Sequence, residues 1–446
     1  MLTQKRYTQL VLVCALTIIM LFCIPSFVIS QDNGNWKSKA PMPTPRLLSS
    51  ACVVDDVIYV IGGVTKESWP EYISAVSTVE AYDPKTDTWT TKADMPTPRH
   101  SLATCCLNGK IYAIAGSDCP YRPGDAHNTV EEYDPIADTW HSKSPVPIKR
   151  AYLAACSYSG LIYTFGGKDG NNSVRWETEA YDPVTDTWSN KTNILTARNY
   201  IAACSAEGIF YALGGAIGAS HDELAHNEVY DPVKDQWLIR TDIPTARLGL
   251  SACSVNGKVY AFGGSDGLFV PSFNTVEKYD PETDSWISMK EMPTPRAWHT
   301  SSAVDGKIYV MGGTSDGTEN GVLAAVEEFT PQMANRIEHI SIDDNKQINF
   351  SLYQNYPNPF NPTTTIEYSL AQSGHVRVSI YNLFSQRIRT LVDEEQSAGV
   401  HTSTWNATDE SGNRVSSGIY LSKIEFINPT RGRKAWQEER KMVLLK

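Results

Sequence analysis

The chain has 446 residues, long enough for two or three domains or one large repeat array. Apolar content of 41% and charged content of 20% are those of an ordinary globular protein. Lys and Arg total 39 against 50 Asp and Glu, a formal charge of −11, and that acidic balance argues against a nucleic-acid partner, which needs a positive surface.

Residues 1–30 read as a cleaved signal peptide. Lys5 and Arg6 form a positive start, Leu10 to Ile24 is an apolar run too short for a comfortable membrane span, and Val28-Ile29-Ser30 precedes an expected mature start at Gln31. A lipoprotein is the alternative, although Phe22 before Cys23 suits a lipid-attachment site poorly. The mature protein is expected to have no stable transmembrane helix. Of nine cysteines, Cys14 and Cys23 leave with the signal; the remaining odd number does not make a disulfide framework.

From residue 36 the chain repeats itself. Arg46, Arg99, Arg150, Arg198, Arg247 and Arg296 are spaced by 53, 51, 48, 49 and 49 residues. Glycine pairs keep step at Gly62-Gly63, Gly166-Gly167, Gly214-Gly215, Gly263-Gly264 and Gly312-Gly313, with Ala115-Gly116 in the second copy. Tyr-Asp follows at Tyr82, Tyr133, Tyr181, Tyr230 and Tyr279, then Trp89, Trp140, Trp188, Trp237 and Trp286. Within the fifth unit the pattern predicts strands over Leu248–Val255, Lys258–Phe262 and Thr275–Tyr279, the first two joined by the tight turn Asn256-Gly257, and a fourth strand beginning near Trp286. Apolar residues on both faces of these runs suit sheets packed between sheets.

The joint pattern over about residues 36–330 resembles the kelch repeat. That resemblance implies a β-propeller with one four-stranded blade per repeat. The sixth copy ends after Phe329 without a fourth strand, while Trp36 to Arg46 matches a fourth strand and its exit turn. The expected architecture is therefore all-β: a six-bladed kelch β-propeller over 31–330, closed by its N-terminal strand. Trp36→Ala is expected to cost on the order of 3–5 kcal/mol, as for a buried tryptophan.

Several repeated residues look chemical. Cys52, Cys105, Cys156, Cys204 and Cys253 each lie six after the repeat arginine and are read as small buried packing residues, not a metal ring. Cys106 and Cys119 are left over, and a bond between them stays open. Glu80, Glu131, Glu179, Glu228, Glu277 and Glu327 match the six arginines in number. Arg247 and Cys253 fall on one strand face by period, so a buried guanidinium there needs an acceptor, and an Arg–Glu pair is expected for each repeat. The alternative is that some arginines line the central channel and bind an anion.

The segments after the glycine pairs vary in sequence and are the expected ligand face. Candidate binding residues there are Asp118, Tyr121, Arg122, His127, Asp169, His221, Asp222, His226, Asp266 and Asp316. No metal site and no cofactor are predicted: the spacing from His221 to His226 is not that of a helical zinc site. No catalytic set is assigned. Kelch relatives include a galactose oxidase and a sialic acid mutarotase, so a secreted carbohydrate-active enzyme like one of these is the alternative to a binding protein of glycan or protein ligands.

Residues 331–349 are polar and aperiodic, a linker. Beyond them Asn355-Tyr-Pro-Asn-Pro-Phe-Asn-Pro362 leads into short alternating segments, among them Ile366–Leu370, Val376–Tyr381, Gln386–Val392, Gly399–Trp405 and the terminal Lys441–Lys446. The pattern is that of a small β-sandwich over 350–446. It resembles the C-terminal sorting domain of type IX secretion, related to the FlgD-type immunoglobulin-like fold. The resemblance implies the type IX machinery as a partner and a secreted or cell-surface location across the outer membrane of a Gram-negative bacterium.

Overall fold

The computed structural model describes residues 34–66, 75–118, 126–218, 222–331 and 350–444, less Gln354, Tyr356, Pro357, Pro359, Asn361, 383–385 and 429–432. The signal segment, the linker beyond Pro331, Cys119, Tyr121, Arg122 and His221 lie outside them. The chain divides into two compact units, Met1–Ala334 and Asn335–Lys446. No helix of the described residues is long and apolar enough to cross a membrane.

The first unit holds six four-stranded antiparallel sheets among its described residues. Sheet 1 runs Ser50–Val54, Val57–Ile61, Val79–Asp83, Thr88–Thr91, and sheet 2 Ala103–Leu107, Lys110–Ile114, Val130–Asp134, Thr139–Lys143. Sheet 3 is Ala154–Tyr158, Leu161–Phe165, Thr178–Asp182, Thr187–Lys191, and sheet 4 is Ala202–Ala206, Ile209–Leu213, Asn227–Asp231, Gln236–Arg240. Sheet 5 is Ser251–Val255, Lys258–Phe262, Val276–Asp280, Ser285–Ser288. Sheet 6 takes Thr300–Val304, Lys307–Met311 and Val326–Thr330 from the end of the unit and Asn35–Lys39 from its beginning, with Trp36 opposite Phe329. The first strands of the sheets neighbour one another in the order 1 to 6, and that of sheet 6 also neighbours that of sheet 1.

The first strand of sheet 5 is shorter than the sequence predicts. It starts at Ser251, and Leu248 makes only an isolated bridge to Ser265. The cause is Gly249, whose φ of 62° breaks the extended run. The same position, two after each arginine, is left-handed in every copy: Leu48, Ser101, Tyr152, Tyr200 and Trp298 have φ between 51° and 59°. Arg247 therefore lies outside the strand, and strand period does not place it beside Cys253.

Trp36 is half-buried, against Phe329 at 4.8 Å and with its indole N–H donated to the Lys290 carbonyl at 3.0 Å. The expected cost of Trp36→Ala falls accordingly, to about 2–3 kcal/mol.

The second unit packs a three-stranded sheet (Ser351–Leu352, Thr364–Leu370, Gly399–Trp405) and a four-stranded one (Arg387–Gln396, Gly374–Asn382, Gly418–Asn428, Arg433–Leu444) over a core that includes Ile366, Tyr368, Val378, Trp405, Phe426 and Met442. Its last two strands are longer than the sequence reading allows. Alternation of buried Ile424 and Phe426 with Lys423 and Glu425 carries the pairing on to Arg433–Leu444. The two stretches singled out as motifs are one feature: Asn358 Oδ1 accepts the Val443 amide at 2.8 Å, Phe360 donates its amide to the Val443 carbonyl at 2.9 Å, and its ring lies 5.5 Å from that of Trp405.

Candidate functional site

The repeated residues are consumed by scaffold. Each arginine precedes the first strand of its sheet and sends its guanidinium to the glutamate on the third. Arg46–Glu80 is 3.0 Å, Arg99–Glu131 2.6 Å, Arg198–Glu228 2.6 Å, Arg247–Glu277 2.5 Å and Arg296–Glu327 2.7 Å; Arg150 pairs with Glu179. All six arginine side chains are fully buried, so they present nothing to a ligand in the channel. Burial lowers the guanidinium of Arg46 to about 10, against the opposing pull of Glu80, and raises the carboxyl of Glu179. Carbonyls complete the shell: Arg99 also donates to Ala115 and Thr129 at 2.7 and 2.9 Å. The threonine of the Pro-Thr-Pro-Arg type segment holds the other carboxylate oxygen, as Thr44 does on Glu80 and Thr97 on Glu131, both at 2.8 Å.

The arginine backbone faces the previous sheet. Its carbonyl accepts the amide of that sheet's second glycine: Gly63 to Arg99, Gly116 to Arg150, Gly167 to Arg198, Gly215 to Arg247, Gly264 to Arg296, and Gly313 to Arg46, all at 2.9–3.0 Å. A glycine at the first position suits this approach in five copies, although Ala115 takes that place in the second at a φ of 56°. At Gly62 (φ 64°) a Cβ would sit 2.2 Å from the Arg99 carbonyl oxygen.

A second latch lies on the fourth strands, and it rests on an aspartate that sequence reasoning passed over. Tyr133 donates to Asp138 at 2.5 Å, and the same Asp138 oxygen accepts the Ala93 amide of sheet 1's exit segment at 2.8 Å, while Trp140 donates to the Ala93 carbonyl at 2.9 Å. Tyr181/Asp186/Trp188 on Ser144, Tyr230/Asp235/Trp237 on Thr192 and Tyr279/Asp284/Trp286 on Thr241 repeat it. The signal was present in the sequence as an Asp two residues before each of these tryptophans.

The candidate binding residues divide. Asp118 and His127 approach at 3.6 Å. Asp169 accepts the amides of Asn171 and Ser173 and pairs with Arg175 at 3.3 Å, so it shapes its own loop. Asp316 does the same through Thr314 and Thr318. His226 lies 3.7 Å from Asp242; Asp222 is exposed in the short hairpin Ala216–Ile217/Asp222–Glu223; Asp266 is exposed. These residues fall in separate loops, and no group of three or more His, Cys, Asp or Glu among the described residues is placed to hold a metal.

What sequence reasoning missed is the position two after each arginine. Its backbone amides and carbonyls link sheet to sheet: Ser101 to Leu48, Tyr152 to Ser101, Tyr200 to Tyr152, Trp298 to Gly249, and Leu48 to Trp298, at 2.7–3.2 Å. These residues surround a cavity of about 110 Å³, and below it lies one of about 190 Å³ lined by small residues such as Ser50, Ala103, Ala154 and Ala252. Tyr152 and Tyr200 meet with ring centroids 4.3 Å apart, and Lys168 stands 5.8 Å from the Tyr152 centroid. His299 lines both cavities and binds Ser251 at 2.8 Å; burial, then the charges of Arg296 and Arg247, keeps it well below the usual histidine range. The only sequence signal was negative: here the copies read Leu, Ser, Tyr, Tyr, Gly, Trp.

The family model for the Attractin/LZTR1 beta-propeller matches residues 35–273, more than half of the chain. The chain belongs to this β-propeller family. A KLHDC2/KLHL20/DRC7 Kelch-repeats model matches residues 201–347 of the propeller chain, and the FlgD Ig-like domain model matches 361–428. Among curated relatives, beta-scruin of Limulus polyphemus is 28% identical over 145 residues, 32% of this chain and 15% of its own. Kelch-like ECH-associated protein 1B of Danio rerio is 33% identical over 138 residues, 30% of this chain and 21% of its own. The propeller chain thus spans a small part of either relative's length. Among solved structures, one titled "Structure of YjhT" superposes with a TM-score of 0.55 at 16% identity, covering 65% of this chain and 95% of that one, a likeness of fold.

Proposed function

We propose that this protein is an exported binding protein: a six-bladed propeller closed by its N-terminal strand, which takes a glycan or protein ligand on the face reached by the glycine pairs, carried by a C-terminal domain that the type IX machinery reads. The observation that carries the binding reading is the division of labour within the repeat. Residues common to the copies are spent on packing, while the ring two after each arginine and the insertions differ from copy to copy on one face. Closure is supported by the pairing of Asn35–Lys39 with Val326–Thr330 and by the Gly313–Arg46 bond. Delivery is supported by the way Asn358 and Phe360 clasp the terminal strand, which makes the entry motif and the terminus one recognisable surface.

Two measurements test the reading. In a Gram-negative host with type IX secretion, the full chain is expected on the cell surface or in the medium, and a chain ending at residue 349 in the periplasm. On a glycan array the mature chain is expected to give saturable binding that mixed substitution of Tyr152, Asp222 and His226 abolishes. Equal surface delivery without residues 350–446 removes the sorting role. A silent array with no protein ligand removes the binding role.

A further inference from the structure

We propose that the outer edge of sheet 4 pairs with the same edge of a second copy of this chain, giving a two-fold dimer whose variable-loop faces point in opposite directions. The place of that edge in the fold comes first. Gln236–Arg240 is the last strand of its sheet, with Asn227–Asp231 on one side and no strand on the other among the described residues. In sheets 1 and 5 the counterparts of Arg240 donate their amides inward, Lys92 to the Val79 carbonyl and Met289 to that of Val276. Antiparallel pairing alternates, so Leu238 also bonds inward, and the main-chain groups of Trp237 and Ile239 point outward.

The side chains of this edge differ from those of the other five. Leu238 is 42% and Ile239 73% exposed. At the same two positions the other fourth strands carry Thr90-Thr91, His141-Ser142, Ser189-Asn190, Ile287-Ser288 and Lys37-Ser38. Polar and charged residues on an edge strand keep it from pairing with another chain, and of the six this edge alone lacks them at both positions. Leu195 extends the apolar surface: it is half exposed, and its amide binds Glu228, which stands opposite Ile239.

Self-complementarity makes the occupant a second copy. The two-fold register centred on Leu238 sets Trp237 opposite Ile239 of the second copy, and Ile239 opposite its Trp237. Four main-chain hydrogen bonds form, and the two Leu238 side chains meet on the axis with Cα atoms about 4.5 Å apart. Gln236 falls opposite Arg240, so the two arginines stay apart. The end of the strand carrying Lys234, whose side chain is 72% exposed, comes beside the end carrying Asp242, 51% exposed. The paired edges thus have an apolar centre and opposite charges toward their ends.

Direction follows from the register. Arg240 stands opposite Asn227, where the variable segment after the glycine pair ends, so the strand runs toward the loop face. An antiparallel neighbour runs the other way. The dimer therefore carries its two ligand faces on opposite sides and bridges two ligand-bearing surfaces. That consequence rests on the binding reading above; the pairing itself does not.

The test is sedimentation velocity on the mature full chain, without ligand, from about 1 to about 200 μM. One strand pair buries less than the roughly 1,200 Å² at which standard interfaces begin, so the dimer is expected to be half formed on the order of tens of micromolar. Ile239→Lys is expected to weaken it about tenfold or more. Asn190→Lys, the same change on the edge of sheet 3, is expected to leave it unchanged, and unaltered thermal melts show that both variants are folded. Leu238→Cys is expected to be trapped as a covalent dimer by oxidised glutathione, whereas Ile239→Cys, which faces Trp237, is not. A chain that stays monomeric throughout the range overturns the second copy as the occupant of this edge. A dimer that Ile239→Lys leaves intact and Leu238→Cys does not trap overturns this edge as the interface. Neither result touches the binding reading, which the glycan array decides separately.

Discussion

Gly313 donates its amide to the carbonyl of Arg46 at 3.0 Å. This joins the last glycine pair of the first unit to its first repeat arginine. The same arginine carries its charge into the next sheet, to Glu80. Each arginine is therefore a two-ended staple, its backbone on one sheet and its guanidinium on the following one.

That geometry predicts an asymmetric mutational response at Arg247. Replacement by Met leaves Glu277 buried with its charge unmatched, and a loss of about 3–5 kcal/mol is expected. Adding Glu277→Leu removes the orphaned charge, and the double variant is expected to be more stable than Arg247→Met alone. Denaturant titration of the three proteins checks the order.

The N-terminal strand is expected to matter in proportion to what Trp36 buries. Trp36→Ala loses the contact with Phe329 and the bond to Lys290, and a loss of about 2–3 kcal/mol follows. Trp36→Phe keeps most of the packing and is expected to lose about 1 kcal/mol, the share of one hydrogen bond. Thermal or urea melts of both measure the difference.

The aspartate latches give the propeller an acid limit. The hydrogen bonds from Tyr133, Tyr181 and Tyr279, then those from backbone amides, hold Asp138, Asp186 and Asp284 below the usual carboxylate range. A folded value below the unfolded one means stability that is complete above the unfolded value, about 3.9, and lost as pH falls through the folded value. Stability is therefore expected to be level near neutrality and to decline below about pH 4. The triple Asp→Asn variant is expected to start lower and to show a shallower decline, read by urea midpoints between pH 3 and 7.

The repeat cysteines are expected to be inert in the native state. Burial raises the thiols of Cys105 and Cys253 to about 12 and those of Cys52, Cys156 and Cys204 well above their usual range. Iodoacetamide at pH 8 with peptide mapping is expected to leave all five unmodified until denaturant is added. Labelling of any of them at the unfolded rate would show that the sheets do not pack as described.

The legibility of this chain follows its periodicity. Arg247, Glu277, Tyr279, the glycine pair and Trp286 recur at fixed offsets because each makes the same contact in most of the sheets, so their spacing carried the sheet pattern. The reason offered for the Arg–Glu pair was wrong even where the partners were right: Gly249 interrupts the strand, and proximity comes from the glycine–carbonyl bond between sheets. Asp138 and its counterparts were visible two residues before the tryptophans but passed over, because some of their partners belong to another repeat. Tyr152, Tyr200 and Trp298 were hidden, since a backbone conformation shared by five residue types over six copies leaves no mark in a pattern of residue types. In the second unit, Asn358 and Phe360 were recognised as a motif, but their hold on Val443 is a contact across the whole domain.

Ring closure is tested most directly by amide hydrogen exchange at Gly313, with Gly264 as its internal control. Both donate to an arginine carbonyl with the same geometry, but Gly264 reaches the next repeat, Arg296, whereas Gly313 reaches back to Arg46. In a closed ring the two amides exchange with the same protection, near that of global unfolding. Exchange at Gly313 orders of magnitude faster than at Gly264 would contradict closure by the N-terminal strand.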